Sequence, residues 1–500
     1  MSRIIVIGAG FAGISAATTL AQAGHEVVVL EKHATPGGRA RRYAAEGFTF
    51  DMGPSWYWMP DVFERYFRRF GRHRSDYYDL QRLDPSYRVY FGPDDRVDIP
   101  ADLNELRALF EAYEPGSSKR LNDFLRSAAY KYQTGVNDLV YRPSRSLREF
   151  LDPGLMFDAV RMDIFASFHT HARRYFSHPK LLQLIEFPVL FLGAVPQNTP
   201  ALYSLMNYAD LALGTWYPPG GMHEIVRGMV RLAEELGVEF RYEAEVSEIR
   251  IEGGRTTGVF TEAGFEAAAA VVAGADYHHV ETKLLPVEAR NYSNSYWKSR
   301  TLAPSSLLFY LGVDKRLDNL LHHNLFFDTP FGPHARDIYE TPRWPDAPLF
   351  YVSAPSQTDP TVAPEGCENL FVLIPLAPDL DDGEEVRERY YHLVMERLEA
   401  LTSQSIRPHV TYKRSYAHRD FRADYHAFGG NAYGLANTLR QTAILKPGLK
   451  NRHVQNLYYT GQLTVPGPGV PPSLISGQVV ADEVIRELPP APAALPLTYS

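Results

Sequence analysis

The residues that could do chemistry begin at the eighth position. Gly8, Gly10 and Gly13 fall in the spacing G-x-G-x-x-G, and Glu31 follows at about the twenty-residue interval that a ribose-binding acid keeps from such a turn. In that spacing the first glycine permits a tight turn and the second lets a pyrophosphate approach the backbone. The third lets a helix lie close to a strand. The free N–H groups and positive dipole end of that helix then face the phosphates. A carboxylate at Glu31 can accept both hydroxyls of a ribose, and it would repel a 2′-phosphate. The chemistry implied is redox chemistry carried by a bound dinucleotide.

A second glycine-rich loop lies near the other end of the chain. Gly461 to Ser473 contains Gly461, Gln462, Gly467, Gly469, Val470 and Pro471. A strand, Asn456 to Thr460, delivers the chain to it, and a helix continues to about Leu488. Such a loop points backbone N–H groups and a helix N-terminus at one spot. Other constellations are weaker. His169/His171, His278-His279 and His322-His323 lack the grouped spacings of metal ligands, so no metal is expected. Cys367 is the single cysteine; it excludes an internal disulfide, fits a reducing compartment and has no evident activating base. No second G-x-G-x-x-G follows a strand, so a built-in NAD site is not expected.

These residues need particular elements around them. Arg3 to Ile7 and Glu26 to Leu30 are continuous apolar runs, the pattern of buried parallel strands. Gly13 to Ala23, with Gly24 as its stop, is the helix between them. Tyr87 to Ile99 reads as a hairpin and Leu103 to Leu139 as helices; Leu155 to Tyr217 is helical, aromatic and unusually apolar. Trp216 to Met222 reads as a loop, and Met222 to Leu236 as an amphipathic helix. Val238 to Tyr242 is a strand, followed by a meander over Val246–Ile251, Thr257–Thr261 and Ala268–Val272 with a turn at Gly253-Gly254. Leu307–Gly312, Leu325–Phe327, Leu349–Ser353 and Asn369–Ile374 are strand-like and suggest a mixed sheet. Glu384 to Leu401 is a helix of mixed charge. From Asp61 to Arg74, aromatic residues at helical spacing alternate with arginines. This reads first as a surface helix with its apolar side on the core, and second as a basic helix on an anionic membrane.

Bulk properties set limits. Five hundred residues suit two or three domains, and a net charge of -8 gives no support to nucleic-acid binding. Tyr and Phe number 31 and 27, enough to line a long apolar tunnel as well as a core. The first strand begins at once, leaving no room for a signal peptide, and no run of about 18 apolar residues could span a membrane.

Lys32, Pro36-Gly37-Gly38-Arg39 and Asp51-Met52-Gly53-Pro54-Ser55 extend the first motif. This stretch resembles the extended FAD fingerprint of the flavoproteins that include amine oxidases, protoporphyrinogen oxidases and carotenoid desaturases. The resemblance implies Arg39 near the pyrophosphate, Gly38 beneath the ribityl chain, and backbone contact between Val246 and adenine. It places the far loop at the N1–C2=O edge of the isoalloxazine. That loop, Tyr459-Thr460-Gly461-Gln462 to Pro471, resembles the C-terminal signature of bacterial and fungal-type phytoene desaturases, with Val465 for the family's His and Pro468 for its Ala. Trp216 to Met222, Ser306 to Gly312 and Ala363 to Cys367 also match.

The resemblance covers residues 3 to about 488. It implies an α/β chain: a GR2-type Rossmann-like FAD-binding domain over 1–75, 218–275 and 440–488, and a mixed-sheet substrate domain over 76–217 and 276–439. The helical part of the latter is suited to a membrane surface, and 489–500 is expected to be a disordered tail. The implied activity is FAD-dependent desaturation of a polyene such as phytoene, with a carotenoid isomerase or later-step desaturase as alternatives. A non-enzymatic prenyl-binding escort protein is the alternative of another class. Arg148 and Glu149 are the candidate acid–base pair by resemblance, the alternative being an exposed pair that only caps a helix, and oxygen or a quinone is the expected electron acceptor. The expected location is the cytoplasm, peripherally on the inner face of the cell membrane.

Overall fold

The computed structural model describes residues 2–137, 139–143, 163, 166–192, 195–438 and 441–489. Arg3–Ile7 and Glu26–Leu30 are rich in β-branched side chains and pair in parallel, Ile5 opposite Val28. Buried on both faces, they have no polar–apolar alternation to show. Among the described residues they sit in a five-stranded parallel sheet, in the order Leu457–Tyr459, Ala270–Ala273, Arg3–Ile7, Glu26–Leu30, Glu239–Arg241. Three distant stretches of chain therefore complete one sheet.

Two helices cover this sheet side by side, Phe11–Gln22 and Val470–Glu487. They touch through backbone: a Cβ added at Gly477 would lie 2.2 Å from the Ala12 carbonyl oxygen. Ser15 Oγ donates to the Leu474 carbonyl at 2.8 Å across the same contact. The small residues of the first helix thus serve both the close approach to its strand and this second contact.

The meander is an antiparallel three-stranded sheet, Glu248–Glu252, Arg255–Thr261 and Gly264–Ala267. Gly253 and Gly254 turn it with φ of +57° and +76°, as a tight hairpin requires. Its third strand precedes the expected one: Ala270–Ala273 belongs to the parallel sheet instead. Trp216–Tyr217, expected in a loop, pairs with Gln81–Arg82 as a short strand.

A seven-stranded mixed sheet forms the other layer, ordered Val410–Tyr416, Ser305–Val313, Glu368–Leu376, Phe350–Ser353, His323–Phe326, Tyr87–Gly92, Asp95–Ile99. Its neighbours are antiparallel except His323–Phe326 with Tyr87–Gly92. Alternate residues divide between two cores. Leu307, Phe309, Leu311 and Val372 pack with Tyr391, Val394, Met395 and Leu398 of the helix Glu384–Thr402. Leu308, Tyr310, Tyr351, Phe371 and Leu373 face the opposite core, shared with the parallel-sheet layer. Each such burial contributes about 1.5–3 kcal/mol relative to exposure, so both faces are strongly specified.

A hairpin, Arg42–Ala45 with Phe48–Asp51, joins the two layers. Tyr310 Oη donates to the Met52 carbonyl at 2.8 Å, and Asn369 Nδ2 to the Thr49 carbonyl at 2.7 Å. Gly312 has no side chain because Phe48 occupies the space; a Cβ there would lie 2.4 Å from the ring.

The basic aromatic segment forms the helix Pro60–Arg69 with Val62, Phe63, Tyr66 and Phe67 buried. Its arginines have local partners: Arg68 pairs with Glu64 at 2.8 Å, Arg69 with Asp482, and Arg65 lies 3.9 Å from the Tyr141 ring centre. The apolar side thus packs on the core, and the helix offers no aromatic face to lipid. No helix among the described residues is long and apolar enough to cross a membrane.

Candidate functional site

A cavity of about 400 Å³ runs between the two layers. Gly8, Gly10, Glu31, Lys32, Gly38, Arg39, Gly53, Pro54, Ser55, Val246, Gly461, Gln462, Gly469, Val470 and Pro471 all line it. Gly13 does not, and its surroundings say why: a Cβ there would sit 1.9 Å from the Gly8 carbonyl oxygen. It holds the helix against the turn. Gly8 itself has φ +94°, open to glycine at no steric cost.

Gly10 is different again. It caps the helix Phe11–Gln22 with no side-chain hydrogen bond, and a Cβ there would meet nothing within 4 Å. The helix start therefore opens onto empty space with N–H groups in want of acceptors. Beside it Glu31 is 4% exposed. Its Oε2 accepts the Ala9 N–H at 2.7 Å and its Oε1 the His33 N–H at 3.0 Å, so the carboxylate is fixed at the edge of the turn. Lys32 Nζ donates to the Ala423 carbonyl at 3.0 Å and lies 3.7 Å from Glu245. Val246 is buried in the same wall.

Further along, Gly37 and Gly38 take φ of +116° and +54° and turn the chain so that Arg39 reaches inward. Gly53 lies under this turn; a Cβ would come within 2.7 Å of the Arg39 carbonyl oxygen. The Arg39 guanidinium lies over the Tyr425 ring, 4.9 Å from its centre, and Nη2 donates a long bond to the Asn431 carbonyl, 3.4 Å. Its Nε is buried without a partner. Burial lowers its pKa, opposed by the charge of Asp276. Asp276, in turn, accepts the His279 and Phe428 N–H groups at 3.1 and 3.2 Å, yet burial pushes its pKa up to about 6. A buried cation short of acceptors is costly unless an anion reaches it.

The far loop closes the middle of the cavity. Ser476 Oγ accepts both the Gly461 N–H and the Thr460 hydroxyl at 3.0 Å, tying the loop to the last helix. Gly469 caps that helix with φ +109° and no side-chain bond. Pro471 and Pro472 supply no N–H, so Gly469 and Val470 carry the donors at this helix start. Gln462 Nε2 donates to Asn431 Oδ1 at 3.1 Å, linking the loop to the Arg39 carbonyl partner.

Beyond the loop the lining becomes apolar. Leu308, Tyr351, Phe371 and Leu373 come from one face of the mixed sheet, and Trp56, Trp58, Met59 and Met206 from elsewhere. Sequence reasoning passed over several of these. The sequence patterns assign no role to Asp276, Tyr425, Tyr351 or Trp56. The continuous apolar runs within Ser305–Val313 and Glu368–Leu376 are the available signal for the floor; Trp56, directly after Ser55, is the signal for the wall. Arg148 and Glu149 lie outside the described residues.

The open Gly10 cradle, the two uncapped helix starts and the unpartnered Arg39 Nε fit a dinucleotide with a pyrophosphate at its centre, and FAD in particular, since a long apolar chamber continues past the second loop. The comparisons agree. The family of flavin containing amine oxidoreductases matches residues 11–485. A carotenoid 3,4-desaturase of Haloarcula japonica is 44% identical over 488 residues, covering 97% of this chain and 98% of that one. A zeta-carotene-forming phytoene desaturase of Myxococcus xanthus is 35% identical over 491 residues, 97% and 94% of the two chains. In fold, a crystallised oxidoreductase from Methanosarcina mazei superposes with a TM-score of 0.61 at 18% identity, over 96% of this chain and 100% of that one. The glycine turn, the Arg39 loop and the far loop thus line one cavity, and the chain belongs to the flavin containing amine oxidoreductase family.

Proposed function

We propose that this protein is an FAD-dependent carotenoid desaturase, converting a CH–CH bond of a polyene to C=C. The observation that carries the reading is the continuity of one cavity, from the Gly10 cradle past the far loop to the apolar sheet face. Full-length similarity to a carotenoid 3,4-desaturase and a phytoene desaturase supports it. The higher identity to the former favours a 3,4 bond over the bonds of phytoene. FAD, when bound, supplies a two-electron acceptor for hydride.

The chain's own residues do the rest. Glu31 would accept from the ribose hydroxyls, Arg39 would meet the pyrophosphate, and the Gly469–Val470 helix start would favour negative charge at the cofactor's ring. Leu308, Phe371 and Leu373 bury the polyene and exclude water. On this reading residues 1–75, 218–275 and 440–488 serve the cofactor, and 76–217 with 276–439 serve the substrate. A carotenoid hydrocarbon has no useful solubility in water, so the donor phase is lipid, and we place the enzyme peripherally at the inner membrane surface with oxygen or a quinone as its oxidant.

Pigment analysis tests this. The chain is expressed in one host that accumulates phytoene and in another that accumulates a more conjugated acyclic carotenoid. A product with longer-wavelength absorption in the second host is expected; unchanged pigments in both would refute the proposal.

A further inference from the structure

Desaturation releases a proton as well as a hydride, and the cavity is lined by a polar assembly fit to take it. Tyr351 lines that cavity from the sheet face, beside Phe371 and Trp56. Its hydroxyl is 2.6 Å from Nδ1 of His323, the first residue of the adjoining strand. His323 is fully buried, and its Nε2 has no hydrogen-bond partner. Its ring lies flat against Trp56, with centroids 4.2 Å apart and planes at 12°. The imidazole is therefore held by stacking on one side and by a single polar contact, which leads to the cavity.

Such a residue is expensive as mere packing. A buried imidazole with an unpartnered nitrogen forfeits hydrogen bonding that an apolar side chain would not need. Burial also lowers the basicity of His323 and keeps the Tyr351 phenol protonated, so both groups rest neutral at physiological pH. In the tautomer protonated on Nε2, the Tyr351 O–H donates to Nδ1, and the phenol oxygen keeps its lone pairs to accept, with the Ser55 and Ser353 hydroxyls beside it. This is the geometry of a two-member relay, with one end facing substrate.

We propose that Tyr351 is the proton acceptor of the reaction and that His323 takes up the proton that Tyr351 gives up. This rests on the carotenoid-desaturase reading above. In the step, hydride leaves one substrate carbon for the flavin with the two electrons of its C–H bond. The neighbouring C–H bond breaks, its electron pair becomes the new π bond, and its proton goes to Tyr351 Oη. The proton that Tyr351 held passes to His323 Nδ1. Substrate carbon is oxidised, flavin is reduced, and the chain holds one proton as imidazolium. That cation is tolerable in an apolar pocket because a negative charge arises in the same chamber at the same time.

The test uses the FAD-loaded enzyme with a polyene substrate dispersed in lipid. Tyr351→Phe should lower kcat by about 100-fold, leave KM within about twofold, and leave FAD stoichiometry and the flavin spectrum unchanged. His323→Phe, which keeps a ring to stack on Trp56, should cost about as much. The double variant should be no slower than either single one, as for groups that act as a unit. A solvent deuterium effect present in the wild type should vanish in Tyr351→Phe. An active wild type with Tyr351→Phe within about threefold of it, or losses that multiply in the double variant, would overturn the relay. A wild type that desaturates no polyene would overturn the underlying reading and the relay with it.

Discussion

Arg39 and Tyr425 are 386 positions apart in the chain, yet the guanidinium lies over the phenol ring, 4.9 Å from its centre, with Nε unpartnered. The ring satisfies part of the cation and leaves the hydrogen-bonding edge for an anion. Arg39→Met should weaken FAD binding by about 10- to 100-fold, the equivalent of one charge-assisted hydrogen bond at about 1.5–3 kcal/mol. Arg39→Lys should recover little, since a point charge does not replace a planar fork. The apoprotein should melt no lower than wild type, because a buried, under-satisfied charge has gone. Fluorescence titration of apoprotein with FAD, together with thermal melting, measures both; undiminished affinity in Arg39→Met would remove the pyrophosphate assignment.

Two glycines of one motif should fail differently. The Cβ of Gly10→Val enters open space at a φ of −81° that any residue accepts, so the fold should survive while the phosphate cradle is filled. The Cβ of Gly13→Val would lie 1.9 Å from the Gly8 carbonyl oxygen, so the helix must move off its strand at a cost of several kcal/mol, above the usual 1–3 kcal/mol of about one overpacked methylene. Purified Gly10→Val should be colourless with a near-wild-type apoprotein melt; Gly13→Val should be poorly folded. Yellow Gly10→Val protein at full flavin stoichiometry would contradict the assignment.

What the sequence made legible follows from range. The glycine turns, Glu31 and the far loop are local patterns whose backbone demands are written within a few residues, and they line the cavity as expected. The mixed sheet was visible because strands buried on both faces read as continuous apolar runs. The hairpin Arg42–Asp51 and the strand Val410–Tyr416 were not, since charged residues such as Arg42, Lys413 and Arg414 interrupt the pattern. Asp276, Tyr425 and the Tyr351–His323 pair were invisible for another reason. Their roles exist only where distant segments meet, and no local spacing announces that. The Pro60–Arg69 helix shows the limit of composition: its pattern reads first as a surface helix packed on the core and second as a helix on a membrane, and the burial of Val62, Phe63, Tyr66 and Phe67 supports the first.

Asp210 offers a test of buried charge. It accepts the Tyr87 hydroxyl at 2.9 Å, and burial pushes its pKa up to about 7 from an ordinary 3.8. The folded state then binds this proton more tightly than the unfolded chain, so this group's contribution is fully present below pH 3.8 and is lost as pH rises toward 7. Asp210→Asn cannot ionise and keeps an acceptor for Tyr87. Relative to wild type it should gain stability between pH 4 and pH 8, by up to about 4 kcal/mol. Urea unfolding at several pH values reads the difference; a gap between the two proteins that does not change with pH would show that Asp210 is not held in its acid form.

The last prediction uses the two faces of one strand. Leu307 and Leu308 are adjacent in Ser305–Val313 and both nearly fully buried, but Leu307 packs under the helix Glu384–Thr402 while Leu308 lines the cavity. An amide placed at either position loses its water and finds no designed partner, at about 1–3 kcal/mol. At Leu307 that cost falls on folding, so Leu307→Asn should lower the unfolding free energy and leave KM for the polyene unchanged. At Leu308 the cavity can hold water until substrate displaces it, so the cost falls on binding. Leu308→Asn should therefore raise KM about 10-fold, with FAD content and melting temperature close to wild type. Leu373→Asn, on the neighbouring strand and also facing the cavity, should behave like Leu308→Asn. Steady-state kinetics on lipid-dispersed polyene and urea unfolding of the three variants separate the effects. Equal KM in Leu307→Asn and Leu308→Asn would mean that the substrate lies elsewhere than on this sheet.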